Sequence, residues 1–227
     1  MASDRCVNSI PADLAPRLQL SHYRHETSAA DTIALVQAAV ESGCPGVSVF
    51  PPFVADASRA AARKTSVVAK ICQSGMAKAT IKAIEATSCI KDGATELQVE
   101  PLLAPQLSGD FTPLKAELLE LARAARATGR DVLLHANLRT MLLNKGGGEG
   151  WIEAACRAVR EGAFDGITDI GDDASHALVR THAGGLILRR SMPAIDFPGV
   201  RRLLHPTTDR VEIFAELFDI ESIGDIF

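Results

Sequence analysis

The sequence predicts a single (β/α)₈ barrel that occupies the whole chain. Three observations carry this expectation. A chain of 227 residues with 47% hydrophobic content can bury one large core of the size such a barrel needs. Ala-rich amphipathic segments end repeatedly at a glycine and lead into a short β-type run. Those runs are nearly continuously apolar, the pattern of strands covered by helices on their outer face. No low-complexity tract or linker divides the chain, so residues 1–227 are expected to form one domain.

The elements follow in order. A first strand is expected over 18–22. A helix over 30–42 ends at Gly43 and leads to a strand over 46–50, and a third strand follows over 66–72. A helix over 77–92 ends at Gly93 before a strand over 96–99, and a helix over 114–128 ends at Gly129 before a strand over 131–135. A helix over 151–161 passes through Gly162 into a strand over 165–170. A short helix over 173–183 and strands over 186–190 and 210–214 complete the set, with the last βα units the least regular. Glycine after a helix suits the left-handed residue that closes its last turn. Strands alternating with helices favour a closed parallel sheet. Gly146, Gly147 and Gly148 read as a flexible loop between the fifth strand and its helix, because they lack the Lys-Ser/Thr of a P-loop and the spacing of GxGxxG.

Composition narrows the function. A net charge of -4, without a Lys/Arg cluster, offers no field for a nucleic-acid backbone, so no nucleic-acid partner is expected. Cys6, Cys44, Cys72, Cys89 and Cys156 are scattered, with no CxxC pair or Cys/His cluster; they read as reduced thiols, and no metal or cofactor is expected. Residues 1–10 carry no continuous apolar run, and no apolar stretch is long enough for a bilayer, so the expectation is no membrane association and a cytoplasmic address.

Several segments then point to a family. Val47-Ser48-Val49-Phe50-Pro51-Pro52-Phe53-Val54 resembles the second strand and Pro-containing helix start of the deoxyribose-phosphate aldolases. Glu85 within Ala83-Ile84-Glu85-Ala86-Thr87, followed by Ile90-Lys91-Asp92-Gly93-Ala94-Thr95-Glu96-Leu97, resembles that family's third helix and Gly-Ala-Asp-Glu strand start. Glu161-Gly162-Ala163-Phe164-Asp165 resembles its Gly-Ala-Asp approach to the sixth strand, and Leu20-Ser21-His22 is a weak counterpart of its first-strand Asp-His-Thr. The resemblance spans residues 18–190, is best over 43–139, and implies chemistry at the C-terminal ends of the strands.

It also implies which groups should be there. The family forms a Schiff base on a sixth-strand lysine within Lys-Thr-Ser-Thr-Gly; here the matching run is Ile167-Thr168-Asp169-Ile170-Gly171, and an alkyl group cannot attack a carbonyl. The fourth-strand aspartate matches Gln98, which hydrogen-bonds but does not shuttle protons. The fifth-strand lysine matches His135, and the seventh-strand lysine matches Arg189, which keeps its charge but stays protonated. Gly171 retains the phosphate-facing backbone position, whereas the paired serines near the eighth strand have no counterpart around residues 212–214. Losing the nucleophile costs about 8 kcal/mol of transition-state stabilisation. The expectation is therefore a divergent member defective in cleaving 2-deoxyribose 5-phosphate, acting as a binding or regulatory subunit.

An alternative stays open. Gln98 and Glu100 share strand parity, as do His135, Asn137 and Arg139, so each set faces one side. Lys70, near the end of the third strand, is a candidate relocated amine for an active aldolase-type lyase on a small phosphorylated sugar or aldehyde, with Glu100 or His135 moving protons. Against this, Lys70 can simply pair with Glu100 or another acid, His135 can be a core histidine, and Glu85 can serve helix packing. Gln98, Asn137, Arg139, Thr168, Asp169, Gly171 and Arg189 form the candidate ligand-binding set, suited to a small anion. The chain from Pro193 through Pro206 departs from a compact family-like connection, and 211–227 is rich in Ile, Leu and Phe. This tail can close its own barrel or dock on another subunit, in a homo-oligomer or with an active aldolase paralogue.

Overall fold

Eight parallel strands run in chain order around a closed barrel: β1 (Leu18–Ser21), β2 (Gly46–Val49), β3 (Ser66–Ile71), β4 (Glu96–Val99), β5 (Leu133–Leu138), β6 (Gly166–Asp169), β7 (Ile187–Ser191) and β8 (Thr208–Phe214). β8 pairs with β1, which removes both sheet edges. The computed structural model describes residues 10–21, 27–191, 200–201, 206 and 208–214. His22, most of the stretch from Pro193 to Pro206, and the tail after Phe214 lie outside these described residues. The helices are α1 (Ala29–Ser42), α2 (Val54–Ala61), α3 (Ala79–Asp92), a short α4 (Leu103–Gln106), α5 (Thr112–Arg126), α6 (Thr140–Glu161) and α7 (Asp173–His182).

Local chemistry explains where these elements start and stop. Ser28 and Asp31 form a reciprocal capping box at the start of α1, each side chain accepting the other's backbone N–H. Gly43 and Gly93 close α1 and α3 with φ of 76° and 109°, the left-handed conformation expected of them. Gly162 does not follow suit: its φ is -76°, and Ala163 takes the left-handed position instead, at φ 59°. β5 begins two residues later than expected, at Leu133, and the carbonyl of Val132 just before it accepts from Arg126 at 3.0 Å.

The glycine triplet is not a loop. α6 runs through it, broken only at Gly148, where φ is 63° and ψ -151°. The cause is Trp151, the sole tryptophan, whose indole lies against Gly146 and Gly147 where a Cβ would overlap it. The ring meets Phe111 edge-on, with centroids 6.3 Å apart and planes at 74°. Aromatic packing thus offsets the weak helix propensity of glycine.

Register fixes the interior. From Ser48 to Gln98, Thr168, Glu212 and back, each second strand is offset by two residues, and four offsets close the ring with the shear of 8 that this barrel requires. The inward positions form layers drawn from alternate strands. From the N-terminal end upward they are Gly46, Glu96, Gly166 and Arg210; Gln19, Val68, His135 and Arg189; Ser48, Gln98, Thr168 and Glu212; then Ser21, Lys70, Asn137 and Ser191. The apolar core lies outside this barrel, between strands and helices, and includes Val47, Ala69, Ile71, Leu97, Ala136, Ile167 and Leu188.

Gly147→Ala is expected to push the Trp151 indole off its seat, shifting its fluorescence to the red and costing about 1–3 kcal/mol in urea unfolding. Unchanged emission would show that the ring does not rest there.

Candidate functional site

Apart from Val68 and the two glycines, the inward residues are charged or polar where branched apolar side chains usually fill a barrel. Burial obliges these groups to satisfy one another, and they do so across the axis. Lys70 on β3 forms an ion pair with Glu212 on β8 at 2.8 Å. Those strands are not neighbours, so the contact spans the interior. Around it, Gln19 donates to Ser48 (2.6 Å), Ser48 to Gln98 (3.2 Å), and Gln98 to Thr168 (3.1 Å) and Glu212 (3.5 Å). Burial pushes the Glu212 carboxyl up, but Lys70 and the hydroxyls of Ser191 and Ser48 outweigh it and hold its pKa below the ordinary range. Burial lowers the Lys70 pKa, and Glu212 and Glu100 oppose that shift only in part.

Nearer the N-terminal end, Arg189 on β7 reaches across to Glu96 on β4 and also engages Asp209 (3.2 Å) and Gln19 (3.4 Å). Arg210 completes the cluster on the second oxygen of Glu96 at 3.1 Å. His135 stands in the same layer as Arg189, in space that Gly166 provides: a Cβ on Gly166 would overlap its imidazole. Neither ring nitrogen of His135 has a hydrogen-bond partner among the described residues. Burial, then the charges of Arg189 and Arg210, push its pKa well below the usual histidine range. It is thus a neutral imidazole and a poor proton acceptor at neutral pH.

The mouth carries the other candidates. Glu100 at the end of β4 accepts from Nε and the terminal nitrogen of Arg139, both at 2.8 Å, and Arg139 keeps 43% of its side chain exposed. Asn137 sits in the same layer as Lys70, half-buried, with its carbonyl oxygen unpartnered among the described residues. Asp169 faces away from the axis. It accepts from Thr140 and pairs with His176 at 2.7 Å, and His176 reaches Thr208 at 3.2 Å, so it ties β6, α6, α7 and β8 together. Gly171 is packed against Thr140, Ser175 and Asp169, and its carbonyl accepts from Arg190 at 3.4 Å.

One expectation needs correction. Ile167 faces the helices, packed among buried apolar side chains, while Thr168 takes the inward position at that height of β6. Strand alternation forbids both from facing the axis. The residue that stands where a β6 nucleophile would project is therefore a threonine held by Gln98, one place along from the isoleucine that sequence matching selects.

The structure thus brings Lys70, Gln98 and Thr168 into one network, sets His135 and Arg189 beneath it, and leaves Glu100, Asn137 and Arg139 at the rim. Sequence reasoning missed Glu96, Arg210 and Glu212, although charges at alternate positions of strand 210–214 were a legible sign of a polar interior. It also missed Lys82, fully buried on α3, whose ammonium donates to the carbonyls of Gly75 (3.0 Å) and Glu100 (2.8 Å) and pairs with Glu117. This clamp fixes the β3–α3 loop against the end of β4, but within an amphipathic helix a lysine reads as surface. Glu85 belongs to the same region: its carboxylate accepts the backbone N–H of Cys72 at 2.8 Å, a residue held at φ 47°. Burial pushes the thiols of Cys44, Cys89 and Cys156 up to about 12, which makes them inert.

No family model matches the chain. The deoxyribose-phosphate aldolases of Mycobacterium avium (strain 104) and Mycobacterium tuberculosis (strain H37Rv) are each 27% identical to it over 154 residues. That stretch is 68% of this chain and 67% and 66% of theirs, so the chain matches about two thirds of the length of these relatives. Among solved structures, the tetrameric deoxyribose phosphate aldolase from Aeropyrum pernix superimposes with a TM-score of 0.80 at 17% identity, covering 99% of this chain and 97% of that one. The aldolase QR15 gives 0.79 at 22% identity, covering 94% and 99%. The barrel, its strand order and the aligned stretch together make the chain similar to the deoxyribose-phosphate aldolases.

Proposed function

We propose that this barrel has lost the family's lysine-imine chemistry and serves as a binding or regulatory subunit, taking a small anion at its mouth or a protein partner. The observation that supports this reading is the state of Lys70. Its amine is tied to Glu212 across the axis and is only 4% exposed. Imine formation needs a neutral amine open to a carbonyl carbon. Here attack would first have to break a buried ion pair and then admit substrate below the rim. Gln98, in place of a carboxylate, adds no proton shuttle, and neutral His135 has none to offer. Arg139, with Asn137 beside it, supplies the exposed cationic rim that suits an anion. The A. pernix relative is described as tetrameric, which supports assembly with like or related chains as the setting for such a role.

A second reading, an active lyase on a small aldehyde or phosphorylated sugar using Lys70, draws on one fact: burial lowers the pKa of that amine, as reactive lysines require. Borohydride trapping with 2-deoxyribose 5-phosphate and with acetaldehyde, followed by peptide mapping, separates the two. The proposal expects no cleavage product and no label on residue 70; reduced adduct at Lys70 with turnover of either compound would overturn it.

If the interior network is structural, acid should dismantle it. Glu212 and Glu96 both sit below their ordinary value of 4.5, so their stabilisation is complete above that value and is lost as pH falls through the lower folded-state values. Urea unfolding should show a flat stability between about pH 5 and 7 and a steep loss below about 4.5. Glu212→Gln should be less stable at neutral pH and show a shallower acid loss; an unchanged acid slope would mean that Glu212 is not charged in the folded barrel.

A further inference from the structure

At the N-terminal end of the barrel, opposite the mouth, the turns leading into β3, β4 and β5 border a solvent-open pocket of about 270 Å³, whose charged residues Arg63, Arg130 and Asp131 are exposed. Its polar lining is Ser58, Arg63, Thr65, Thr95, Arg130 and Asp131, over an apolar floor that includes Val67 and Val132. Three ionisable side chains face one small volume, yet Arg63 and Asp131 form no ion pair or side-chain hydrogen bond among the described residues. Arg130 is anchored at one nitrogen by the carbonyl of Ile90, at 2.9 Å, which leaves its other donors available.

The wall that carries Arg63 is strained. Ala62 and Arg63 are consecutive non-glycine residues in the left-handed region, with φ of 46° and 65°. Such strain concentrates at ligand sites, where the geometry it imposes is used. Across the cavity, the Ser58 hydroxyl occupies the space a Cβ on Gly93 would fill, and Gly93, at φ 109°, presents bare backbone there. The glycine thus lets Ser58 pack directly against the backbone that lines the pocket.

We propose that this cavity is a second ligand site, taking a small carboxylate or phosphate monoester whose oxyanion is held by Arg63 and Arg130. Two guanidinium forks match an oxyanion bidentately. The volume lies below that of drug-sized pockets, which fixes the ligand as small. Asp131 accepts a hydroxyl or ammonium hydrogen from the same molecule. The site lies at the feet of the strands that carry Lys70, Gln98 and His135, well away from the rim residues.

Amide NMR titration of the full chain at constant ionic strength tests this, with inorganic phosphate in one arm and malonate in the other. The expected result is saturable shifts at residues 62–65, 93–95 and 130–132 in at least one arm. Phosphate alone would identify a phosphate ester as the ligand class, and malonate alone a carboxylate. Half-saturation should rise at least tenfold in Arg63→Ala and in Arg130→Ala and stay unchanged in Arg123→Ala, which removes an exposed charge elsewhere. Absence of saturable shifts in both arms, shifts confined to residues 137–140 and 170–173, or unaltered affinity in the Arg63 and Arg130 variants would each overturn the proposal.

Discussion

The ion pair between Lys70 and Glu212 is the constraint around which the barrel interior is organised. A lysine and a glutamate both pointing into the barrel interior cannot be left unpaired, since each alone would carry several kcal/mol of desolvation. Their pairing determines what the neighbouring positions hold. Glu212 needs donors for its remaining lone pairs, and Gln98 and Ser191 supply them. Gln98 spends its other hydrogen on Thr168. The side chains that could have formed a carbonyl-binding cleft are therefore occupied with one another.

The lower interior obeys the same rule with different partners. Arg189 and Arg210 share the two oxygens of Glu96, and burial, reinforced by the fields of those guanidiniums, holds the His135 pKa down. Small residues make this possible: a side chain at Gly46 would crowd the Arg210 guanidinium, and one at Gly166 would displace His135. Outside the barrel, Lys82 and Asp169 do comparable work at the rim, binding loop carbonyls and helix side chains so that the ends of β4 and β6 are held in place. Polar groups inside and apolar groups outside thus divide the stabilisation between electrostatic satisfaction and hydrophobic burial.

Much of this architecture was legible in the sequence. The glycine-terminated helices and apolar runs gave the alternation of strand and helix, and the parity of Gln98 with Glu100 and of His135 with Asn137 gave their common face. What escaped was set by contacts between distant segments. Trp151 packs on Gly146 and Gly147 and carries the helix up to the break at Gly148, which no local propensity encodes. Ile167 and Thr168 exchange roles because strand phase depends on pairing with β5 and β7, and a one-residue slip reverses every side chain. Lys70 was singled out, but its partner lies 142 positions further along, on a strand whose charges drew no attention. Lys82 was hidden for a similar reason: amphipathic patterning cannot distinguish a solvated lysine from one that clamps two carbonyls.

The organisation of the barrel interior depends on the amine at position 70 being a structural cation. The most direct measurement is a double-mutant cycle by urea unfolding at neutral pH, using Lys70→Met, Glu212→Gln and the pair together. A structural ion pair predicts a loss of about 3–5 kcal/mol for each single change, with the double variant returning to within about 1 kcal/mol of the parent. Losses that simply add, or a Lys70→Met protein as stable as the parent, would contradict it.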